Sequence, residues 1–195
     1  MIYTDINTDS DGVLYDFTTA FARMDGYDYV GRWFEMIQSK NMTLFEYMDH
    51  NGKFDTFSKD GLFKVGNPCN DANRLLNHLY ELRNTYNLKL NILSALPYNK
   101  SYVDIVRKDK MEFFERMGIL ELFDNIILCN GSKDKLNYAN KHSILIDDFD
   151  RTETRFKNIN APFILHRSFK DTKSQLDKYG LSLNRSFNFS QSNVQ

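Results

Sequence analysis

The sequence has few of the features that mark exported or membrane-spanning chains. It contains no apolar run of the roughly 18 residues that a transmembrane helix needs. Residues 1–5 carry neither the basic stretch nor the apolar core of a secretion signal. Its two cysteines are too few for a disulfide framework or a four-thiolate zinc site. These absences favour a cytoplasmic protein in a reducing compartment, without a membrane partner.

The sequence also has little net charge. Lys and Arg total 25 and Asp and Glu total 26, which gives a formal net charge of −1. Proteins that coat nucleic acid usually carry a basic excess, so the balance argues against a polynucleotide partner. It leaves room for a small, local anion site. Aromatic residues are plentiful, with 16 Phe and 11 Tyr, and supply large side chains for a core.

Short apolar runs alternate with segments of helical spacing. The runs predict buried strands at residues 88–93, 125–128, 143–146 and 162–165, and the spacing predicts helices at residues 70–86 and 101–117. Alternating strands and helices are typical of an α/β fold with a mostly parallel sheet and crossovers on both faces.

One aromatic-rich segment interrupts this alternation. Residues 18–66 have a helix-like pattern and lie between a first predicted strand at residues 2–8 and the strand at 88–93. A structureless stretch of about 50 residues would be unusual in a compact domain. The segment is therefore interpreted as a small helical insertion, with an α/β core formed by residues 1–17 and 67–180. Residues 181–195 are interpreted as a polar C-terminal tail.

The strongest chemical signal follows the first predicted strand. Asp9 and Asp11 stand two positions apart, and Gly12 allows the chain to turn sharply after them. Ligands of open α/β sheets bind beyond the carboxyl ends of the strands. Two neighbouring carboxylates repel each other and favour a bound divalent cation, and Mg²⁺ prefers oxygen ligands. The pair therefore predicts a magnesium site.

Other strand ends carry matching groups. Asp147 and Asp148 follow the run at 143–146, Ser94 follows the run at 88–93, and Lys133 and Lys135 lie between the runs at 125–128 and 143–146. Carboxylates, a hydroxyl and a cation at one edge of a sheet suit a phosphoryl group held against Mg²⁺.

The order of these motifs resembles the haloacid dehalogenase superfamily of phosphohydrolases. The resemblance covers residues 1–165 and implies a Rossmann-like core with a small helical cap. The stretch DGVLYDF at residues 11–17 is similar, more narrowly, to the 5'(3')-deoxyribonucleotidase branch and its phage-encoded relatives, as is KLNYA at 135–139. A phage-encoded chain would act in the host cytoplasm.

The resemblance implies a role for each motif residue. Asp9 would attack phosphorus, and Asp11 would act as general acid and base. Ser94 and the Ala95 amide would bind phosphoryl oxygens, and Lys135 would neutralise their charge. The implied Mg²⁺ ligands are Asp9, the Asp11 carbonyl and Asp148, with Asp147 orienting Asp148.

Three departures from the family pattern stand out. The strand before Asp9 is polar, whereas a central parallel strand should be nearly all apolar. A lysine expected a few residues after the hydroxyl motif is missing; Lys100 comes slightly late and is the candidate for that substrate-binding role, the alternative being a weaker hold on the phosphate. Lys133 and Lys135 are both candidates for the lysine that contacts the phosphate. The distance of Lys135 from Asp147 along the chain favours Lys135.

The resemblance implies a deoxyribonucleoside monophosphate as substrate. Phe17 would stack on the base, with Trp33 and Phe63 from the insertion as further pocket candidates. Three alternatives stay open at this stage: a polynucleotide 3'-phosphatase, a sugar-phosphate phosphatase, and a non-catalytic scaffold that binds nucleotides. The sequence leaves the oligomeric state open, a homodimer included.

Overall fold

The protein folds around a five-stranded parallel sheet. The computed structural model describes residues 2–183. The strands are β1 (Asp5–Thr8), β2 (Lys89–Leu96), β3 (Asn125–Asn130), β4 (Ser143–Asp147) and β5 (Phe163–Leu165), in the spatial order β3-β2-β1-β4-β5. All four strand pairings are parallel. The predicted α/β class is confirmed.

Within the described residues, eight α-helices connect or flank these strands. Four of them, α1 (Phe17–Met24), α2 (Val30–Ser39), α3 (Leu44–Asp49) and α4 (Lys53–Lys59), lie between β1 and β2 in the segment that the sequence marks as an insertion. The others are α5 (Ala72–Tyr86), α6 (Val103–Arg116), α7 (Asp150–Asn158) and α8 (Phe169–Lys178). A 3₁₀ segment, Ser132–Tyr138, follows β3.

Local sequence accounts for several helix ends. Thr43 and Glu46 form a capping box at the start of α3, in which each side chain bonds the other residue's backbone N–H. Helix α5 stops at Asn87, whose φ of 54° is left-handed. Asparagine tolerates that conformation better than most side chains, so it can end a helix where glycine would otherwise stand.

The sheet has an apolar core on each face. On one face Ile6, Ile92 and Ile144 pack in a large cluster with side chains of α5, α6 and α8. On the other face Leu93 and Leu145 pack with Phe156 of α7 in a smaller cluster. Successive strand residues point to opposite faces, so burying both sides requires the near-continuous apolar runs seen in β2 and β4.

A row of three asparagines explains the polar character of β1. Asn7, Asn91 and Asn125 are register partners on adjacent strands. The Asn91 Nδ2 donates to Asn7 Oδ1 at 3.0 Å, and Asn125 Nδ2 donates to Asn91 Oδ1 at 2.8 Å. Because the amides bond one another, Asn7 is buried in the strand with its side-chain oxygen paired, whereas the buried Thr8 Oγ1 has no partner among the described residues. We call these residues the asparagine row.

The aromatic residues of the insertion extend the larger core cluster. Phe21 stacks on Phe57 with ring centroids 5.2 Å apart, and Phe57 meets Phe63 edge-on at 4.9 Å. All three rings belong to the cluster that contains Ile6 of β1. Helices α1–α4 therefore pack against the sheet assembly through aromatic contacts, which are worth about 0.5–1.5 kcal/mol per pair beyond area burial.

Two further predictions concern the ends and the environment of the chain. The predicted polar tail lies, from residue 184 on, outside the described residues. Within residues 2–183, no helix combines the length and the apolar character needed to cross a bilayer.

Candidate active site

A cleft opens at the carboxyl ends of the central strands. Its volume is about 710 Å³, within the usual range for small-molecule sites. The loops after β1 and β4 contribute Asp9, Asp11 and Asp148, and the 3₁₀ segment contributes Lys135. Helices α1, α3 and α4 supply apolar side chains to the opposite part of the lining, so the insertion and the sheet form the cleft together.

Asp9 is fixed at both carboxylate oxygens. Its Oδ1 accepts the backbone N–H of Ser10 at 2.7 Å, and its Oδ2 lies 2.7 Å from Lys135 Nζ. Lys135 Nζ also donates to Asp147 Oδ2 at 2.6 Å. The second oxygen of Asp147 accepts the backbone N–H of Phe149 at 2.8 Å. The contacts that join Asp9, Lys135 and Asp147 are therefore anchored to the loop after β4. Asp9 thus has one orientation, at the bottom of the cleft.

Lys135 keeps its charge although it is 2% exposed. Burial alone would lower the pKa of its ammonium group, but the charges of Asp9 and Asp147 raise that pKa above the ordinary value. A buried lysine paired with two carboxylates stays protonated because removing its proton would leave both anions uncompensated. The site therefore holds a permanent cation beside Asp9.

Asp148 completes an acidic cluster that fits a divalent cation. One carboxylate oxygen from each of Asp9, Asp147 and Asp148 lies within 4.8 Å of the others. Burial, together with the charges of Asp9 and Asp147, raises the pKa of Asp148 to about 8. An oxygen-only donor set with an excess of negative charge matches the preference of Mg²⁺.

Gly12 makes room for that cluster. Its φ is 76°, and a Cβ built on it would lie 1.9 Å from Asp148 Oδ2. Any side chain at this position would be strained and would also displace the carboxylate of Asp148. The glycine after Asp11 is therefore required both by the turn and by the close approach of the loop after β4.

Asp11 lies beside a lysine that the sequence analysis missed. Lys110 Nζ on α6 is 2.6 Å from Asp11 Oδ2 and 2.9 Å from Ser94 Oγ. The other oxygen of Asp11, Oδ1, is buried without a hydrogen-bond partner among residues 2–183. Burial raises the pKa of Asp11, although the nearby charge of Lys110 opposes the shift. Asp11 therefore has one anchored oxygen and one available oxygen.

Helical spacing gives a signal for Lys110 in retrospect. Val106, Lys110 and Phe113 follow one another at intervals of four and three, and all three are buried. A lysine on the apolar stripe of an amphipathic helix needs an anionic or polar partner inside the protein. Lys110 is therefore recognised by its place on the buried stripe of α6, and not by closeness to Ser94 in the sequence.

The structure places two candidate lysines away from the site. Lys100 is exposed in a short 3₁₀ turn, and Lys133 is exposed at the start of the segment that carries Lys135. Neither side chain is part of the cleft lining formed by the described residues. The expectation that Lys100 supplies the lysine after the hydroxyl motif is corrected by Lys110, which reaches Ser94 from the next helix.

The predicted substrate-binding residues divide into two groups. Phe17, Phe63 and Ala95 line the cleft. Trp33 does not, because it is fully buried among the insertion helices, where its indole N–H donates to Asp25 at 2.9 Å. Trp33 is thus a core residue of the insertion, and its place in the predicted pocket is corrected.

One solved structure has a fold similar to that of this chain. The chain is similar to a hydrolase from Streptococcus pneumoniae TIGR4, with a TM-score of 0.53 and 14% sequence identity over 91% of this chain and 100% of that one. The two chains share a fold.

A second solved structure is more distant. The HAD-hydrolase YfnB from Bacillus subtilis, described as bound to magnesium, aligns with a TM-score of 0.40 and 14% identity over 76% of this chain and 81% of its own. A TM-score of that size is too low to establish a shared fold. Neither protein-family models nor curated protein sequences match the chain.

Proposed function

We propose that this protein is a magnesium-dependent phosphomonoesterase of the haloacid dehalogenase type, acting on deoxyribonucleoside monophosphates through a phosphoaspartyl intermediate. The observation that carries the proposal is the setting of Asp9. Its carboxylate is held by a backbone N–H and by Lys135, next to the oxygens of Asp147 and Asp148. A carboxylate nucleophile needs this combination of fixed orientation and neighbouring positive charge.

In the first step an Asp9 oxygen attacks the phosphorus atom. The P–O bond to the leaving group breaks, and the available Asp11 oxygen, Oδ1, gives its proton to the departing alkoxide. Lys110 holds the other Asp11 oxygen at 2.6 Å, which fixes the direction from which the proton is delivered. Lys135 offsets the charge on the phosphoryl oxygens throughout.

In the second step water cleaves the phosphoaspartyl bond. Asp11, now ionised, takes a proton from the attacking water and so returns to its starting state. Inorganic phosphate leaves and the Asp9 carboxylate is restored. Asp147 takes no part in bond making, since it is 0% exposed and, unlike Asp9, is not among the described residues that line the cleft. Its role is to hold Lys135 in place.

Asp9 and Asp148 are the side chains that would hold Mg²⁺. When bound, the ion polarises the phosphoryl group and offsets the negative charge that builds up during displacement. Asp147 lies next to the same position but is fully buried, and its carboxylate bonds Lys135 and the Phe149 N–H.

The cleft lining supports a substrate with an aromatic group. Phe17 and Phe63 lie with ring centroids 6.0 Å apart in a stacked arrangement, and both line the cleft. A nucleobase stacked on an aromatic ring gains about 1–3 kcal/mol. Phe63 is 2% exposed, so Phe17 is the ring of this pair on which a base would stack. A sugar phosphate has no base to make that contact, which favours a nucleotide over a sugar phosphate.

The proposal is tested by measuring phosphate release with Mg²⁺ from a panel of phosphoesters. The panel contains 5'- and 3'-deoxyribonucleoside monophosphates, ribose 5-phosphate, p-nitrophenyl phosphate and a nicked duplex with a 3'-phosphate. We expect the mononucleotides to be the best substrates and the Asp9→Asn variant to be folded but inactive. Preferential turnover of the duplex or of ribose 5-phosphate would overturn the substrate class, and full activity of Asp9→Asn would overturn the nucleophile.

A further inference from the structure

Most of the basic side chains of the cleft come from one part of the fold. Besides Lys135, its positive lining residues are Arg151 and Arg155 of α7 and Arg167 after β5. Among the acidic lining residues away from the Asp9 cluster, Asp49 and Asp55 come from the insertion helices, and Asp150 of α7 is paired with Arg167. The region around α7 therefore offers the cleft positive charge beyond the lysine that serves the scissile phosphate.

Arg167 contributes little of that charge. It forms an ion pair with Asp150 and donates to the backbone oxygen of Asp148 at 2.9 Å. Its guanidinium is therefore compensated by a carboxylate, and its contact with the loop after β4 supports the position of Asp148.

Arg151 and Arg155 lack such a partner. Within residues 2–183, no carboxylate oxygen lies within 4.0 Å of either guanidinium. The guanidinium of Arg151 lies 5.6 Å from the ring centre of Phe45 and 5.9 Å from that of Phe149. Arg155 donates to the hydroxyl of Ser132 at 3.1 Å. Neutral groups hold both arginines in place. No carboxylate compensates their positive charges, which are therefore available to bind an anionic ligand.

Their arrangement suits a single anionic group. Residues four apart on a helix lie on the same face, with Cβ atoms about 5–6 Å apart. Arg155 is joined through Ser132 to the segment that carries Lys135, so its side chain lies on the side of the cleft where the scissile phosphate binds. Paired guanidinium groups are well suited to phosphate because their planar forks donate two hydrogen bonds each.

The Phe45–Phe149 contact shapes the same region. The two rings are 4.9 Å apart and join α3 of the insertion to the loop after β4. Both rings line the cleft, and Arg151 packs on both of them. This contact fixes Arg151 at the junction of the insertion and the core, so that its charge faces a defined part of the cleft.

We propose that Arg151 and Arg155 form a subsite for a second phosphate on the substrate, so that the cleft favours deoxyribonucleoside 3',5'-bisphosphates over monophosphates. This inference rests on the proposed function, because it assumes that the other phosphate occupies the Asp9 site. The second phosphate takes no part in the reaction and contributes to binding alone.

The test compares kinetics with matched variants. We expect Arg151→Gln and Arg155→Gln each to raise the KM for deoxyadenosine 3',5'-bisphosphate about tenfold, the change typical of one charge-assisted hydrogen bond. The kcat, and the KM for deoxyadenosine monophosphate, should change by less than about twofold. Arg151→Lys should recover part of the loss, since it keeps the charge. Lys157→Gln, on the same helix and paired with Glu153, is the control and should leave both substrates unaffected.

A binding measurement separates the subsite from catalysis. Calorimetric titration of the inactive Asp9→Asn protein with the bisphosphate and the monophosphate should show tighter binding of the bisphosphate, and Arg151→Gln in that background should remove the difference. This result would stand even if no phosphoester were hydrolysed, in which case the proposed function alone would fail. Equal binding of the two nucleotides, or an arginine effect confined to the 3'-phosphorylated duplex, would overturn the subsite.

Discussion

Lys110 and Asp11 form an ion pair of 2.6 Å across 99 positions of the chain. Lys110 is 1% exposed, and the same ammonium group also bonds Ser94. Helix α6 therefore reaches the strand-end loop through one buried side chain. The contact fixes the orientation of the residue proposed as general acid and base, and it lowers the pKa that burial would otherwise give that residue.

Replacing Lys110 with Met should reduce kcat about 100-fold, the usual effect of removing one charged group from a preorganised site. Because the positive charge of Lys110 lowers the pKa of Asp11, its removal should move the Asp11 limb of the pH–rate profile to higher pH. The measurement is kcat against pH for wild type and variant. Lys108→Met, on the exposed side of α6, is the control. An unchanged pH limb in Lys110→Met would contradict the assignment.

The acidic cluster should make the metal-free protein less stable at high pH. The folded-state pKa of Asp148, about 8, lies above its ordinary value of 3.8. The stability that its protonated form contributes is therefore present in acid and is lost as the pH rises through that interval. The Asp148→Asn variant has no carboxyl group to ionise, so its stability should not fall in this pH interval. In the absence of metal at pH 8, its Tm should exceed that of wild type by about 3 °C or more.

Thermal unfolding in EDTA and in Mg²⁺ checks this prediction. Mg²⁺ should raise the Tm of wild type, because binding to the folded state alone stabilises it, and should have a much smaller effect on Asp148→Asn. Asp104→Asn, which removes an exposed carboxylate from α6, serves as the matched variant and should follow wild type in both buffers. A wild-type Tm that is independent of both Mg²⁺ and pH would refute the cation site.

The middle of the asparagine row should matter more than its end. Asn91→Leu leaves the buried Asn7 oxygen and the Asn125 amide unpaired, and we expect a loss of about 1–3 kcal/mol in the free energy of unfolding. Asn125→Ala, at the exposed end, should cost less than about 1 kcal/mol. The Asn7→Leu/Asn91→Leu double variant should cost less than the sum of the single variants, since it removes both partners of one bond. Urea denaturation of wild type and of the four variants, Asn7→Leu included, measures these differences.

Phe17 should contribute to nucleotide preference. Phe17→Leu keeps an apolar side chain but removes the flat ring, so kcat/KM for deoxyribonucleoside monophosphates should fall by roughly fivefold or more, while that for ribose 5-phosphate stays unchanged. Phe34→Leu is the control, because Phe34 packs on Trp33 away from the cleft. Equal losses with both substrates would mean that Phe17 acts only through packing with Phe54, Phe57 and Phe63.

Local pattern was sufficient for the fold class. The predicted strands at 125–128 and 143–146 lie within β3 and β4, and the predicted helices at 70–86 and 101–117 contain α5 and α6. These elements are long or strongly apolar, so their hydrophobic period determines their type. The polar strand β1 was the difficult element, because its stability depends on amides supplied by β2 and β3, far away in the sequence.

The sequence by itself determined which residue types gather at the strand ends, because parallel strands bring their carboxyl ends to one edge of the sheet. Asp9, Asp11 and Asp148 meet there for that reason. Only the tertiary structure decided which lysines take part. Lys110 and Lys135 point inward, whereas Lys100 and Lys133 lie exposed, and this distinction depends on helix rotation and packing rather than on distance along the chain. The same packing buried Trp33 and brought Arg151 to the cleft.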